Sequence, residues 1–283
     1  MNLEIYKYKN YREYLKDFYT SKKSNNKQYS YAVFSRRAGL NSPNYLKRVM
    51  DGTRNITHKN LRNFISGLGL QKKEASYFEN LVMFNQSEGK STKDYYFGEL
   101  KKTSEKTESA FQLDAAFYDY LSHWYFVAIR EMVNLKDFEE DASWISKQLK
   151  GKVTKSQAKK ALELLIKLGF LSRGENGKLI QTFPKIKYLN EVKNLAVQKF
   201  HKQMMALAKE SIDQEQTQSR DITGVTLCVR ENDFQEMKEE IQAFRDQLNS
   251  KFSVTQGEGE KVVQVNFQLF SLTKNRKELP HEK

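Results

Sequence analysis

Apolar side chains return at three- and four-residue steps along most of this chain, the period of helices that bury one face. Over residues 3–20 the set Tyr8, Tyr11, Leu15, Phe18 and Tyr19 predicts one helix, and SKKSNNKQ (21–28) a polar link. Two short helical patterns follow, on either side of a tight break. Tyr31–Ala38 places Ala32, Phe34 and Ala38 near one face. Gly39 ends it, because helices commonly close on a left-handed residue and glycine takes that conformation without a Cβ penalty. Leu40 fills the corner. Ser42 is expected to cap the next helix and Pro43 to sit at its first position. In that helix, 43–50, Leu46 and Val49 face inward, and Asp51-Gly52 is a turn signal. Helix 57–68, capped by Thr57, buries Leu61, Phe64, Ile65 and Leu68; helix 72–84 buries Ala75, Phe78, Leu81 and Val82. NQSEGKST (85–92) has the composition of a linker. Beyond it Tyr96, Phe97 and Leu100 form one inward face, and KKTSEKTESA reads as exposed and mobile.

Residues 114–183 form a second unit. A helix over 115–133 buries Phe117, Tyr120, Leu121, Trp124, Tyr125, Val127, Ala128 and Ile129. A second runs from Asp137 to Leu149 and closes at Gly151. Thr154 caps a third, with Ala158, Leu162, Leu165 and Ile166 inside and Lys155, Gln157, Lys159 and Lys160 outside. FLSRGENGKLIQT then reads as a hairpin turning at Asn176-Gly177. Three helices and a hairpin describe a winged helix. After an extended joint at Phe183–Lys187, residues 190–212 form a long helix with wide apolar faces. The segments 222–230 and 262–272 alternate apolar and polar residues, the strand period, around a helix near 232–248 that buries Phe234, Met237, Ile241, Phe244 and Leu248. Two strands alone are marginal and open edges invite pairing, so this β-α-β unit is expected to complete its sheet with further strands, a second subunit's among them. QGEGEK reads as a flexible loop and NRKELPHEK as a disordered tail.

The predicted fold is mainly α: a helix-turn-helix bundle (1–88), a linker helix (89–113), a winged helix (114–187), a long helix plus β-α-β dimerisation or sensor unit (188–274) and a tail (275–283). Charge sharpens this picture. The chain carries +13, and residues 1–84 hold 16 Lys and Arg against 6 Asp and Glu, a net +10. Residues 91–184 are close to neutral, with 15 against 13. The excess thus sits on the segment with the helix–glycine turn–helix pattern, which is the helix-turn-helix signature. Its second helix leaves Asn44, Tyr45, Lys47 and Arg48 to face outward. Asn pairs bidentately with adenine and Arg with guanine, while Lys suits phosphate. Arg36, Arg37 and Ser42 before that helix, and Arg54 and Lys59 beyond it, complete the expected DNA contacts.

Other chemistry is sparse. His58, His123, His201 and His281 are scattered, and no zinc-protease, dinucleotide, phosphate-loop or nucleophile-elbow motif is present. Cys228 is the single cysteine and reads as a small core residue in a strand. No enzyme activity, cofactor or metal is expected. No run reaches the ~20 apolar residues of a membrane span. The N-terminus lacks a signal peptide's apolar core, so a cytoplasmic protein with no membrane partner is expected. Residues 29–84, with Leu61, Phe64, Leu68 and Leu70, resemble the phage-repressor type of helix-turn-helix domain. The blocks YKNYREYLKDFY, FSRRAGLNSPNYLKRVMDGTRNIT, YFENLVMFNQ and RDITGVTLCV…VVQVNFQLFSLTK together resemble a bacterial family of helix-turn-helix transcriptional regulators whose C-terminal two-thirds is a domain of unknown function. That resemblance implies a regulator and no catalytic residues. The resulting expectation is a sequence-specific regulator that binds double-stranded DNA as a homodimer, with an unidentified effector or partner protein acting on its C-terminal units. The competing expectation is a protein-interaction or signalling module that uses the same bundle and winged helix as a scaffold.

Overall fold

The computed structural model describes residues 3–104, 110–183 and 190–274. Among them are twelve α-helices and one two-stranded sheet, the mainly helical class that the periodicity indicates. The chain divides into two compact units, Met1–Ser122 with Ile186–Val197, and His123–Lys185 with Gln198–Lys283.

The first unit begins with a 3₁₀ turn at Ile5–Lys7 and continues as α1 (Tyr11–Asn25), α2 (Tyr31–Arg37), α3 (Tyr45–Met50), α4 (His58–Leu68), α5 (Lys72–Gln86), α6 (Lys90–Ser104) and α7 (Gln112–Ser122). The single helix expected over 3–20 is therefore split. Asn10 adopts an extended conformation and its side chain accepts from the Arg12 N–H at 2.9 Å, which starts α1 there. The polar run from Ser21 to Asn25 continues α1 instead of linking it to α2. Tyr11, Leu15, Phe34, Leu46, Phe64 and Phe78 lie at the centre of one core.

The linker expected at 85–92 is also corrected. α5 runs on to Gln86, and α6 resumes at Lys90. Phe97 and Leu100 on α6, with Phe111 beyond it, are fully buried in the same core as Phe84, with which Phe97 and Phe111 make ring contacts. The N-terminal unit thus extends well past residue 88, because Phe97 and Leu100 of α6 and Tyr118 of α7 are buried in this core. Within it, buried Asp114 pairs with Lys9 at 2.6 Å and the Tyr118 hydroxyl donates to Asp94 at 2.6 Å. The expected helix over 115–133 breaks at His123, whose extended backbone separates α7 from α8 (Trp124–Met132).

The second unit contains α8, α9 (Ala142–Gln148), α10 (Lys155–Lys167), β1 (Leu171–Arg173) and β2 (Leu179–Gln181). Asp141 caps α9, accepting from the Trp144 N–H at 2.7 Å, so Glu139 and Glu140 precede the helix. Thr154 and Gln157 form a reciprocal capping box on α10. Ile166, expected inside, is exposed. β1 and β2 pair antiparallel with Leu171 opposite Gln181 and Arg173 opposite Leu179. Five residues join the strands, and within them the Gly174 N–H donates to the Lys178 carbonyl at 2.9 Å, which leaves Glu175, Asn176 and Gly177 at the turn. The order here is three helices, α8 to α10, followed by a hairpin.

α11 (Asn190–Gln214) and α12 (Asp233–Phe252) follow. The expected β-α-β unit is not formed: neither 222–230 nor 262–272 belongs to a strand. α12 forms between them as expected, but none of its residues is buried. Cys228, expected in a core, is exposed for the same reason. The loop expected to be flexible is docked instead. Gly257 and Gly259 N–H both donate to the Asn134 carbonyl, at 3.0 and 2.9 Å, and Lys136 N–H returns a bond to Gly259 at 2.9 Å. Gln256 donates to the Leu179 carbonyl at 2.8 Å. Of the stretch 101–110 expected to be exposed and mobile, Lys101–Ser104 instead end α6, with Lys101 paired to Asp119 at 2.5 Å, and 105–109 lie outside the described residues, as do most of the joint at 183–187 and the tail 275–283. Among the described residues no helix is long and apolar enough to cross a membrane.

Candidate nucleic-acid interface

The helix pair at the centre of the sequence argument forms, with local causes that can be named. Ser30 caps α2 through the Val33 N–H. Gly39 turns the chain at φ 67°, and Leu40 N–H bonds back to the Ser35 carbonyl at 2.8 Å. Buried Ser35 donates its hydroxyl to the carbonyls of Ser42 and Pro43, at 2.9 and 3.2 Å, which ties α2 to the approach to α3. Asn63 on α4 donates to the Gly39 carbonyl at 2.9 Å. α4 also packs closely on α2, since a Cβ at Gly67 would lie 2.6 Å from that of Ala38 and 3.1 Å from the Phe34 ring.

α3 is shorter than expected. It starts at Tyr45, with Asn44 in the cap position and no side-chain cap bond, so neither Ser42 nor Pro43 plays the role assigned to it. Tyr45 is the second correction. It is only 9 % exposed, packs edge-on against Phe64 and donates its hydroxyl to the Asn55 carbonyl at 2.8 Å. It is a core residue and not an outward contact. The inward face of α3 is two residues wide, Tyr45 and Leu46 followed by Val49 and Met50, all buried. That doublet at a spacing of four is the sequence signal that identifies Tyr45 as inward. Ala32 on α2, expected inside, is exposed.

What remains outside is polar and cationic. Asn44, Lys47 and Arg48 are exposed, at i, i+3 and i+4, and so share one face. Arg36 and Arg37 on α2, Ser42, Arg54 and Lys59 are exposed as well.

The segment after α3 is held by residues that the sequence reading did not single out. Arg12 on α1 donates to the carbonyls of Val49 and Arg54, the latter at 3.0 Å, and to the Asn55 side-chain oxygen at 2.7 Å. It thereby adds a charged donor at the C-terminal end of α3, where a cation suits the helix dipole, and ties the segment beyond it to α1. Gln86, at the end of α5, pairs with the backbone of Ile56 in both directions. Its oxygen accepts from the Ile56 N–H at 2.8 Å and its amide donates to the Ile56 carbonyl at 3.0 Å. The same oxygen accepts from the Tyr11 hydroxyl at 2.7 Å. Asn85 beside it accepts from the Tyr11 N–H and donates to the Lys9 carbonyl. Burial pushes the Tyr11 phenol up to about 12, so it keeps its proton, and this bond, at neutral pH. Arg12, Gln86 and Tyr45 therefore fix residues 54–56 from three sides, and with them the path of the chain leaving α3.

In the second unit, Lys155, Lys159 and Lys160 on α10 are exposed as expected. Gln157 is committed to its cap, accepting from the Thr154 N–H at 2.9 Å. Arg173 on the hairpin is paired with Glu140 at 2.7 Å. No group of three or more His, Cys, Asp or Glu residues is placed to hold a metal ion among the described residues.

Residues 104–272 match the model of a family described as a domain of unknown function, DUF4423; this is more than half of the chain, which belongs to that family. The match begins beyond the helix-turn-helix segment, so it bears on the C-terminal part of the resemblance drawn from the sequence. No curated protein and no solved structure is matched.

Proposed function

We propose that this member of the DUF4423 family is a transcriptional regulator that binds double-stranded DNA as a homodimer, each copy presenting α3 to a major groove. The observation that carries the reading is the outer face of α3. Lys47 and Arg48 on the helix and Asn44 at its cap are exposed, while the other face is locked into the core, in a segment of net +10. Asn and Arg supply the bidentate base contacts, and the surrounding cations supply phosphate contacts that set register. A single six-residue helix reads few bases. Two copies on a two-fold axis read two half-sites about one helical turn apart. The second unit, where acids offset most of the cations, is assigned to assembly and to receiving a signal.

Selection of the purified protein on random-sequence duplex DNA, at two salt concentrations, tests this. The expected result is a two-fold symmetric motif, with binding to it weakened by Asn44→Ala or Arg48→Ala by about 1–3 kcal/mol each and with relaxed specificity at the corresponding position. Enrichment of no motif, with only weak binding that vanishes at the higher salt, would overturn the reading in favour of a protein-interaction module.

A further inference from the structure

The C-terminal part of the chain carries backbone and apolar surface that one copy does not use. Segment 222–230 (ITGVTLCVR) and segment 262–272 (VVQVNFQLFSL) have no backbone ladder bond to any described residue. Both alternate as strands do, yet their apolar members face solvent. Val225 is 78 % exposed, Val263 68 %, Phe270 69 % and Leu272 74 %. α12, between them, buries nothing, and Phe244 on it is half exposed although its ring meets that of Phe267 at 6.0 Å. Segment 262–272 is nonetheless held in place. The loop before 262 is bonded to Asn134 and Lys136, and Asn266 donates to the Met204 carbonyl of α11 at 3.4 Å.

We propose that these two segments pair, as β-strands, with the same segments of a second copy of this chain, forming one sheet across the homodimer. Three observations select a second copy. The first is strand number: a two-stranded sheet is marginal, whereas two copies bring four segments and a hydrophobic face. The second is charge. Residues 222–229 and 262–272 contain no charged residue, so self-pairing sets no like charges opposite each other, although the chain as a whole carries +13. An acidic or basic partner would find nothing there to complement. The third is area. The large apolar side chains of the two segments leave on the order of 1,000 Å² open, against the roughly 800 Å² per partner that a stable interface buries. The backbone supplies the rest of the argument, since an unpaired row of N–H and C=O groups is a template for a further strand.

This inference rests on the homodimer part of the proposed function and is independent of DNA reading. Sedimentation of the full chain over a dilution series, with amide hydrogen exchange at both ends of that series, tests it. The expected result is a dimer in which the amides of 222–230 and 262–272 are protected, and lose that protection on dilution to monomer. The double variant Val263→Lys/Val265→Lys should weaken the dimer at least about 100-fold. Its helical circular dichroism, and the exchange protection of α1–α5, should be unchanged. A chain that stays monomeric throughout overturns the proposal. So does a wild-type dimer in which these amides exchange freely, and that readout does not depend on the variant folding. A dimer joined elsewhere that still selects a symmetric motif would sink this inference alone, while a protected dimer that selects no motif would sink only the DNA reading.

Discussion

Arg12 and Gln86 touch no outward face, yet each holds the chain where it leaves α3. Arg12 serves three acceptors from one planar group: the carbonyls of Val49 and Arg54 and the side chain of Asn55. Lysine cannot reproduce that fork. Arg12→Ala and Arg12→Lys are both expected to cost about 1.5–3 kcal/mol in urea unfolding, the range for hydrogen bonds to a charged group. Both should also weaken binding to the selected DNA, although residue 12 is not among the proposed contacts. Gln86→Ala leaves the N–H and carbonyl of Ile56 and the Tyr11 hydroxyl without their partner. A loss of about 1–3 kcal/mol is expected, read as a lower urea midpoint at unchanged slope. The tyrosines give a pH signature. Burial raises Tyr11 and Tyr14 to about 12, above the ordinary value of 10 that they regain on unfolding. Their contribution is therefore complete below pH 10 and is lost as pH rises from 10 towards 12, because the unfolded chain releases its protons first. Stability measured across that range should fall, and Tyr14→Phe, which keeps the ring, should make the fall shallower by about one proton.

At the level of elements, α4 packs against the end of α2 with no room for a side chain at Gly67. Gly67→Ala would drive a methyl group to 2.6 Å from Ala38 Cβ, against backbone-anchored atoms that have no room to yield. Helix propensity favours alanine by only about 1 kcal/mol, less than the roughly 1–3 kcal/mol that overpacking costs, so a net loss of stability is expected in thermal unfolding. Such elements were legible from sequence because their causes are local. Gly39, Thr57 and Thr154 act within one turn of where they stand, and α2, α4 and α10 begin or end there. Three features were not legible, each for its own reason. The inward turn of Tyr45 was missed because six residues barely define a period, and two adjacent inward positions blur it. Asn85 and Gln86 read as linker because their amides are polar, while their partners lie at Tyr11 and Ile56, far away in the chain. The 222–230 and 262–272 patterns read as strands, but periodicity reports which side chains want burial and says nothing of whether one copy of the chain contains a partner strand. Val225 and Val263 stay exposed, and the proposed pairing between copies would cover them.

For the molecule as a whole, the uneven placement of charge makes a claim about salt. Each phosphate neutralised on duplex DNA contributes about −0.9 to the slope of log affinity against log salt. The first unit holds most of the excess positive charge, and its Arg36, Arg54 and Lys59 are exposed. Replacing any one of them by alanine is expected to flatten the slope by about one and to weaken the selected and unrelated sequences alike. Asn44→Ala is expected to do the reverse, lowering affinity for the selected motif while leaving the slope alone, because a base contact releases no counterion. On α10, Lys155, Lys159 and Lys160 are just as exposed, but residues 91–184 balance them with acids, and Glu140 already holds Arg173 on the hairpin. The double variant Lys159→Ala/Lys160→Ala should therefore leave both slope and affinity unchanged. Titrations of the full-length variants at several salt concentrations separate these outcomes. A slope that falls on changing α10 and not on changing Arg54 or Lys59 would move the phosphate contacts to the winged helix, and α3 would lose its place as the reading element.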